Sequence, residues 1–457
     1  MKLPRNLGIT PFLAAIVFSF LLASCGSVSE EAKPNIIFIM ADDLGYGDLG
    51  SYGQQVIQTP HLDQMAAEGL RFTDCYAGST VCAPSRSVLM TGLHTGHTTV
   101  RGNFGKYGVV GLGGGEGRVP LFEEDVTIAE VLKTAGYVTG MTGKWGIGEP
   151  NTSGHPNDQG FDEWFGYLNQ RRAHSYYPDF IWKNKEKFDL PENRNGKRET
   201  YTHDLFAEFA LDFVERHQDE PFFLYLPFTI PHDEYEIPDT APYSDEPWTA
   251  DEKVHASMIT RLDRDIGCLF QLLKDLEIDE NTIVFFCSDN GAALRWEGRF
   301  DSSGALRGHK RDMYDGGLRT PMIVRWPGKV TANATSDLTW YFADVLPTLA
   351  ELAGAQGPKN VDGVSVAPTI LGESQNLEER VLYWEFFERG FQQAVRLGDW
   401  KAVRLVPGEP LELYDLSKDE SEANDVAANH PKIIAQVEAY LKTARTPSEN
   451  WPVEALD

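Results

Sequence analysis

Three short apolar runs constrain the fold of this chain more than any other feature of its sequence. They cover residues 36–40, 221–226 and 282–287 and are rich in β-branched and aromatic side chains. Continuous runs of this length predict strands buried on both faces, as in a parallel sheet covered by helices. Amphipathic segments at 202–216 and 250–276 predict two of those helices. The pattern therefore predicts an α/β fold, with a large, mostly parallel or mixed sheet flanked by helices.

The C-terminal part of the sequence has a different pattern. Short alternating segments predict antiparallel strands at residues 381–386, 393–398, 400–405 and 411–416. Residues 431–444 predict one helix packed on that sheet. We therefore predict a large domain over residues 34–375 and a smaller α+β domain over residues 380–457. We also expect a helix over residues 340–353, and we expect Asp263 on the solvated face of the 250–276 helix.

The first residues have the features of an export signal. Two basic residues precede an apolar stretch at 7–22, which is too short for a comfortable membrane span. The stretch ends in Leu-Ala-Ser-Cys25, which resembles a bacterial lipobox. We predict a lipoprotein signal peptide over residues 1–24, lipidation of Cys25 and a tether over residues 25–33. This predicts an exported bacterial lipoprotein of the periplasm or outer membrane, held there by lipid alone. An ordinary signal peptide with an incidental cysteine is the alternative.

The overall charge argues against a nucleic-acid partner. The chain has 68 acidic and 41 basic residues, a formal net charge of −27. Nucleic-acid binding needs a cationic surface that neutralises phosphates, which this balance disfavours. A small anionic substrate is still compatible with it. Exposed charges beyond about 10 Å are largely screened, so local cations in a cleft outweigh the global sign.

Polar side chains follow two of the three apolar runs. Asp42 and Asp43 come directly after the first run, and Asp289 and Asn290 follow the third. Open α/β sheets place ligands at the carboxyl ends of their strands. Three carboxylates and an amide carbonyl suit Ca²⁺ or Mg²⁺ and do not suit a soft metal. The sequence therefore predicts a divalent-cation site, although the Asp42–Asp43 pair alone would be read as a solvated turn.

The stretch Cys82-Ala83-Pro84-Ser85-Arg86 precedes a segment that predicts a buried helix. Proline is suited to a first helical turn, where its missing N–H costs nothing. Cys82 would then lie at a helix N-terminus, an end that favours anions, with Arg86 as a forked cation beside it. The stretch thus places a nucleophile beside an anion site. The alternative is a buried structural thiol.

This pentapeptide resembles the modification signature of the formylglycine-dependent type I sulfatases, arylsulfatase-like members of the alkaline phosphatase superfamily. The resemblance implies that Cys82 is oxidised to formylglycine by a formylglycine-generating enzyme or an anaerobic sulfatase-maturating enzyme. One hydroxyl of the hydrated aldehyde then attacks sulfur, and the other expels sulfate. An alkaline-phosphatase-like catalytic domain over residues 34–375 is also implied. So is one divalent site, usually calcium, formed by modified Cys82 with Asp42, Asp43, Asp289 and Asn290.

Further motifs match this family in order along the chain. They are Gly-Lys-Trp at residues 143–145, a histidine after a predicted strand at residue 232, and a block at 307–321 that carries Lys310. The resemblance implies that Arg86, Lys144 and Lys310 bind the sulfate. It also implies that His232 or Lys310 protonates the departing alcohol.

One position departs from the family pattern. Many members have a histidine where this chain has Gly146, and that histidine assists breakdown of the sulfated intermediate. Another base would have to act here, from the region of Asp289 or from the loop that carries His97. The alternative is a subfamily with a reorganised site.

Two loop-like stretches supply candidate substrate contacts. Residues 160–178 are dense in aromatic and cationic side chains, as in a wall that faces a sugar, and residues 91–101 include a Gly/Thr/His loop. The candidates are His97, Arg101, Arg171, Arg172 and His174. Packed aromatics with solvent-facing cations are the alternative for the first stretch, and simple solvation for the second.

The resemblance covers nearly the whole chain after the tether and implies hydrolysis of sulfate monoesters. Export and the aromatic wall indicate a sulfated carbohydrate, and the motifs resemble bacterial polysaccharide sulfatases. We expect 4-O-sulfated galactose or N-acetylgalactosamine. One alternative is a phosphonate monoester or phosphodiester hydrolase of the same superfamily, which relative turnover would separate. The other is a non-catalytic sugar-binding lipoprotein, which predicts loss of nucleophile or metal residues that are all present here.

Overall fold

The structure of the chain is a computed structural model that describes residues 33–112, 114–377 and 380–454, with the single residues 1 and 456. The predicted signal peptide, Cys25 and nearly all of the tether fall in residues 2–32, outside the described residues, and stay predictions. Within the described residues, no helix is both long enough and apolar enough to cross a membrane.

The strands are numbered in chain order. They are β1 Asn35–Ala41, β2 Leu70–Tyr76, β3 Val138–Lys144, β4 Glu163–Tyr167, β5 Phe180–Lys183, β6 Glu186–Asp189, β7 Phe222–Pro227, β8 Thr282–Ser288, β9 Arg319–Arg325, β10 Ala334–Ser336, β11 Trp340–Tyr341, β12 Val381–Phe386, β13 Gln392–Leu397, β14 Trp400–Arg404 and β15 Glu412–Asp415.

The α-helices are numbered in the same way. They are α1 Pro60–Glu68, α2 Cys82–Thr91, α3 Ile128–Thr134, α4 Thr202–Arg216, α5 Ala250–Asp275, α6 Asp315–Leu318, α7 Val345–Leu352, α8 Ala367–Ile370 and α9 Pro431–Leu441.

The three apolar runs form the centre of one large sheet. Its strand order is β10-β2-β9-β8-β1-β7-β3-β4-β5-β6, and β11 also pairs with β2. The central strands β8, β1, β7, β3 and β4 are mutually parallel. Antiparallel pairs at β2–β9, β8–β9, β4–β5 and β5–β6 make the sheet mixed. The predicted fold class is confirmed, and the carboxyl ends of the parallel strands meet at one edge of the sheet.

Helices cover both faces of this sheet, which explains why its central strands are continuously apolar. In β1, Ile37 and Ile39 join a core cluster with residues of α1, α4 and α5. The alternate residues Phe38 and Met40 join a second cluster with residues of α2, α3 and α7. The sheet is therefore the middle layer of three, and its polar strand ends are the positions free to form a site.

The C-terminal strands form a separate antiparallel sheet in the order β12-β13-β14-β15. One face of it, including Trp384 and Phe386, joins the core of the large sheet, and the Trp384 indole donates to the carbonyl of Ala77 at 2.9 Å. The other face, including Val395, packs with residues of α9 such as Val437. The predicted smaller α+β region is confirmed.

Two finer expectations are wrong. Residues 340–353 do not form one helix, because Trp340 and Tyr341 extend the large sheet and the α-helix begins only at Val345. Asp263 is not solvated. It is buried and accepts hydrogen bonds from the backbone N–H groups of His61 and Leu62, at 3.2 and 2.7 Å. These are otherwise unpaired donors at the start of α1, so the carboxylate stabilises that helix end.

Candidate active site

Cys82, the predicted nucleophile position, lies at the N-terminus of a fully buried helix. Helix α2 begins at Cys82, and its ten residues are all buried. The hydroxyl of Ser85 accepts from the N–H of Gly78 at 3.1 Å and donates to the carbonyl of Asp289 at 2.5 Å. Because of these bonds, the first turn of α2 is fixed against the carboxyl end of β8, with the positive end of the helix dipole beside Cys82.

The predicted oxygen ligands meet because β1 and β8 are paired in register. Ala41 lies opposite Ser288, so the residues that follow each strand are neighbours. The N–H of Asp43 donates to Asp289 Oδ1 at 3.2 Å, and the Asn290 amide donates to Asp43 Oδ1 at 2.7 Å. All the predicted oxygen ligands are buried. The structure therefore brings these residues together.

Two of these oxygens support a cation site. Asp42 Oδ1 and Asn290 Oδ1 are buried and accept no hydrogen bond from the described residues. A buried acceptor without a partner is costly unless a cation or water satisfies it. One potential ligand atom from each of Asp42, Asp43, Cys82 and His232 also lies within 4.8 Å of the others. The four predicted ligands after β1 and β8 offer carboxylate and amide oxygens, which suit a hard divalent ion such as Ca²⁺ or Mg²⁺.

Three buried cations are paired with the three carboxylates. Their contacts are Lys144 Nζ to Asp42 Oδ2 at 2.6 Å, Lys310 Nζ to Asp43 Oδ2 at 2.6 Å, and Arg86 Nη2 to Asp289 Oδ2 at 2.8 Å. Arg86 also donates to the carbonyl of Lys144, which joins two of the cations. Because this set of six is balanced in charge, a divalent ion would leave a net positive site that suits an anionic substrate.

Burial raises the pKa of each of these carboxyls, and the neighbouring charges decide the direction of the overall shift. Burial alone would raise the pKa of Asp42, but Lys144 and His232 hold it well below its usual range. The pKa of Asp289 is instead raised to about 6, by burial and by the charge of Asp42. Asp42 is therefore held as a carboxylate, whereas Asp289 is the carboxyl nearest to accepting a proton.

His232 lies after the carboxyl end of β7, beside Asp43 and Lys310. Its Nε2 is 3.3 Å from Asp43 Oδ2 and 3.2 Å from Lys310 Nζ, and its Nδ1 is 2.9 Å from Asp233 Oδ1. Burial lowers the pKa of His232, but the negative charges of Asp43 and Asp42 together outweigh burial and raise the pKa to about 10. The imidazole is therefore held in its protonated form, as a proton donor requires.

The candidate substrate contacts on residues 171–174 are placed differently from one another. The ring of His174 meets that of His232 edge-on, with centroids 4.5 Å apart, so it borders the buried cluster. Arg171 is exposed. Arg172 forms a surface ion pair with Asp179 at 2.8 Å, and its guanidinium stacks on the ring of Phe180. These contacts hold Arg172 away from the buried cluster.

The structure does not bring His97 and Arg101 into the buried cluster. His97 Nδ1 lies 2.9 Å from Asp362 Oδ1, in a loop contact. Arg101 is buried, with hydrogen bonds to Glu385 at 3.3 Å and to the carbonyl of Thr446 at 2.9 Å. These partners belong to the C-terminal region, so Arg101 ties that region to the large domain.

The space beside Gly146 is filled by a side chain that the sequence analysis did not select. Gln170 donates to the carbonyl of Gly146 at 2.6 Å, and its own oxygen accepts from Arg118 at 3.0 Å. A Cβ at position 146 would lie 2.9 Å from the Gln170 amide nitrogen and 3.5 Å from Arg86 Cδ. In the sequence, only the glycine at position 146, where many family members have histidine, indicated that another side chain could fill the space beside it.

Substitution of Gly146 by alanine is expected to destabilise the protein more than the same change at Gly136. Both glycines have positive φ, 87° and 84°, but a Cβ at Gly136 meets nothing within 4 Å. Each variant should cost about 1–2 kcal/mol from backbone strain. Gly146→Ala should cost about 1 kcal/mol more, because it displaces Gln170 from its hydrogen bond.

Chemical denaturation of the two variants measures this difference. Equal losses of unfolding free energy would show that Gln170 does not constrain position 146. For the same reason, Gly146→His is expected to lower stability and not to raise activity.

Comparison with known proteins agrees with this geometry. The sulfatase family model matches residues 34–355, and the model of the C-terminal region of N-sulphoglucosamine sulphohydrolase matches residues 308–446. N-acetylgalactosamine-6-sulfatase of Canis lupus familiaris is 34% identical over 86% of this chain and 77% of its own length. Arylsulfatase A of Homo sapiens is 34% identical over 91% of this chain and 88% of its own length.

A solved structure, that of Ps i-CgsB in complex with k-i-k-neocarrahexaose, has the same fold. It superposes with a TM-score of 0.80 at 28% identity, over 92% of this chain and 94% of that one. The mixed sheet and its site define a hydrolase of the alkaline phosphatase superfamily. Within that superfamily, the chain belongs to the type I sulfatases and is a sulfuric ester hydrolase.

Proposed function

We propose that the chain hydrolyses sulfate monoesters of a carbohydrate, with formylglycine made from Cys82 as the nucleophile and a divalent metal, Ca²⁺ or Mg²⁺, beside it. The observation that carries the proposal is the convergence of Cys82 with Asp42, Asp43 and His232. Three buried cations are paired with Asp42, Asp43 and Asp289 beside them. An N-acetylgalactosamine-6-sulfatase among the relatives and the oligosaccharide bound by Ps i-CgsB support a sugar substrate. We expect 4-O-sulfated galactose or N-acetylgalactosamine.

The buried cations have the role of binding the sulfate. A sulfate monoester is an anion, so its reaction requires that the site neutralise charge before a nucleophile approaches. Arg86, Lys144 and Lys310 present guanidinium and ammonium groups within one cluster. Asp42, Asp43, Asp289 and Asn290 would hold the metal, with modified Cys82. A bound divalent ion supplies Lewis-acid polarisation of sulfate oxygens and lowers the pKa of the attacking hydroxyl.

The leaving alkoxide requires a proton, and two groups can donate it. His232 is held protonated by Asp43, and Lys310 lies 3.2 Å from its Nε2. Asp289 is the carboxyl suited to accept a proton from the nucleophile, because burial raises its pKa to about 6. Together these residues cover acid and base roles without the imidazole that is absent at Gly146.

We propose two partners for this protein, a maturating enzyme and a membrane. Conversion of Cys82 requires a formylglycine-generating or anaerobic sulfatase-maturating enzyme that acts before folding, since Cys82 is only 3% exposed in the folded chain. The basic start and the lipobox-like segment support an exported lipoprotein, with a lipid on Cys25 as its membrane attachment.

Of the five candidate substrate contacts, we propose only His174, because its ring borders that of His232. The other four, His97, Arg101, Arg171 and Arg172, are not proposed as contacts.

Sulfate release from a panel of sulfated mono- and oligosaccharides, with calcium present, tests the proposal. The protein must come from a host in which peptide mass confirms conversion of Cys82. Release from one positional isomer would identify the regiochemistry. No release from converted protein on any sulfate ester would overturn the proposal, and turnover of phosphonate esters instead would establish the phosphonate monoester hydrolase alternative.

A further inference from the structure

Asp233 follows His232 in the chain and holds one edge of its imidazole ring. The carboxylate Oδ1 of Asp233 lies 2.9 Å from His232 Nδ1, and the backbone carbonyl oxygen of Asp233 also contacts that nitrogen. A carbonyl oxygen can only accept a hydrogen bond, and an ionised carboxylate is likewise an acceptor. Nδ1 therefore carries a proton in both the neutral and the charged imidazole, and Nε2 is the nitrogen that can release one.

Nε2 of His232 faces the buried cluster. It lies 3.3 Å from Asp43 Oδ2 and 3.2 Å from Lys310 Nζ. The two ring nitrogens thus have separate surroundings, because Nδ1 is turned toward a half-exposed carboxylate and Nε2 toward the proposed sulfate site. Rotation of the ring about its Cβ–Cγ bond would exchange them, and the terminal torsion of histidine does not by itself prevent that rotation.

Asp233 differs from the other carboxylates near this ring. Against the effect of burial, Asp43 and Asp42 supply the negative charge that raises the pKa of His232. The hydrogen bond from His232 holds the pKa of Asp233 well below its usual range, so Asp233 is an ionised acceptor at neutral pH. Its side chain is 53% exposed and lies outside the buried, charge-balanced set of three carboxylates and three cations.

The backbone of His232 is fixed by other contacts. The Tyr176 hydroxyl lies 2.7 Å from the carbonyl oxygens of both Thr229 and His232. The N–H of His232 donates to the carbonyl of Thr229 at 3.1 Å. Loss of the Asp233 carboxylate should therefore free the imidazole to rotate without unfolding the segment that carries it.

We infer that Asp233 is a positioning residue, whose carboxylate holds His232 with Nε2 toward the departing oxygen of the substrate. The inference rests on the proposed function, and it assigns the proton of the departing alcohol to His232 and not to Lys310. As the ester S–O bond breaks, its electron pair stays on the sugar oxygen and the Nε2 proton moves to that oxygen. Asp233 touches no reacting atom and keeps its hydrogen bond to Nδ1 throughout.

Removal of the carboxylate in Asp233→Ala tests the inference by activity. The value of kcat/KM, for the sulfated sugar that the converted parent cleaves best, is expected to fall at least about tenfold, because a positioned proton donor contributes about 10²-fold or more. Asp233→Asn keeps an acceptor oxygen and should lose no more than about threefold. Glu234→Ala removes the neighbouring exposed carboxylate and is the matched control, with kcat/KM expected to equal that of the parent.

Formate distinguishes positioning from a structural role, because a small carboxylate can reach Nδ1 from the exposed side once the Asp233 side chain is removed. It is expected to raise kcat/KM of Asp233→Ala at least about threefold and not to raise that of the parent. Unchanged kcat/KM in Asp233→Ala would overturn the inference. So would a loss that neither formate nor asparagine at position 233 relieves.

Proton NMR separates this inference from the proposed function. The Nδ1–H signal of His232, identified by its loss in His232→Gln, should lie downfield in the parent and shift upfield or disappear in Asp233→Ala. No sulfate release by the converted parent from any ester would end the proposed function. The NMR signal alone would then decide the contact, and a signal unchanged in Asp233→Ala would show that Asp233 does not hold the ring.

Discussion

Replacement of Cys82 by alanine is expected to abolish sulfate release, with a loss of at least about 10³-fold in kcat. Cys82 begins the buried helix α2, and it lies in a cluster with Asp42, Asp43 and His232, two of which are proposed metal ligands. Alanine keeps the helix start but removes the thiol that the maturating enzyme oxidises, so no aldehyde can form at Cβ. Sulfate release by the converted parent and by the variant, measured on the same substrate, checks this expectation.

The control is Cys268→Ser, which removes an exposed free thiol outside the site. It should leave sulfate release unchanged and should show that loss of a thiol is not itself the cause. Circular dichroism and melting temperature should be close to those of the parent for both variants. Substantial sulfate release by folded Cys82→Ala would contradict the assignment of the nucleophile.

Removal of divalent metal is expected to lower activity by at least about 10²-fold, because a Lewis acid supplies several kcal/mol of charge stabilisation. Calcium should also stabilise the folded chain, by about 4 kcal/mol when its concentration is a thousand times the Kd. The physical basis is the pair of unpartnered oxygens, Asp42 Oδ1 and Asn290 Oδ1. Melting curves and sulfate release after chelation, with calcium or magnesium restored, measure both effects.

Asn290→Ala gives the sharpest test of the metal site, since it removes one ligand oxygen without changing charge. Its calcium-dependent rise in melting temperature should require a much higher calcium concentration than that of the parent. Asn429→Ala, on an exposed turn before α9, is the matched control and should behave as the parent does. An unchanged calcium dependence in Asn290→Ala would show that the metal binds elsewhere.

The sheet and the site cluster were largely predictable, because their signals are local. A continuous apolar run predicts a buried strand, and three such runs gave β1, β7 and β8. Parallel strands end at one edge, so the polar residues after β1 and β8 had to be neighbours once the two strands paired. The predicted helix at residues 202–216 was likewise correct to its boundaries, because its amphipathic period is a local property.

The surroundings of that cluster were not predictable in the same way. From the sequence alone, Arg101 was expected to be a loop cation near the substrate. In the structure it pairs with Glu385, which is 284 residues away in sequence. Asp263 was expected on the solvated face of a long helix, but the start of α1 packs over it and donates hydrogen bonds to it. Contacts between distant segments leave no periodic trace in either segment, so propensity and spacing cannot show them.

What the sequence by itself determined is the set of candidate reacting groups: a cysteine at a predicted helix start, oxygen-bearing side chains after two strands, and lysines and a histidine in an order that resembles the family motifs. Only the tertiary structure decided what stands where the family histidine is absent. Gln170 reaches Gly146 from 24 residues away and is held by Arg118, 52 residues from it. Packing between loops sets that arrangement, and neither loop has a periodic pattern from which it could be predicted.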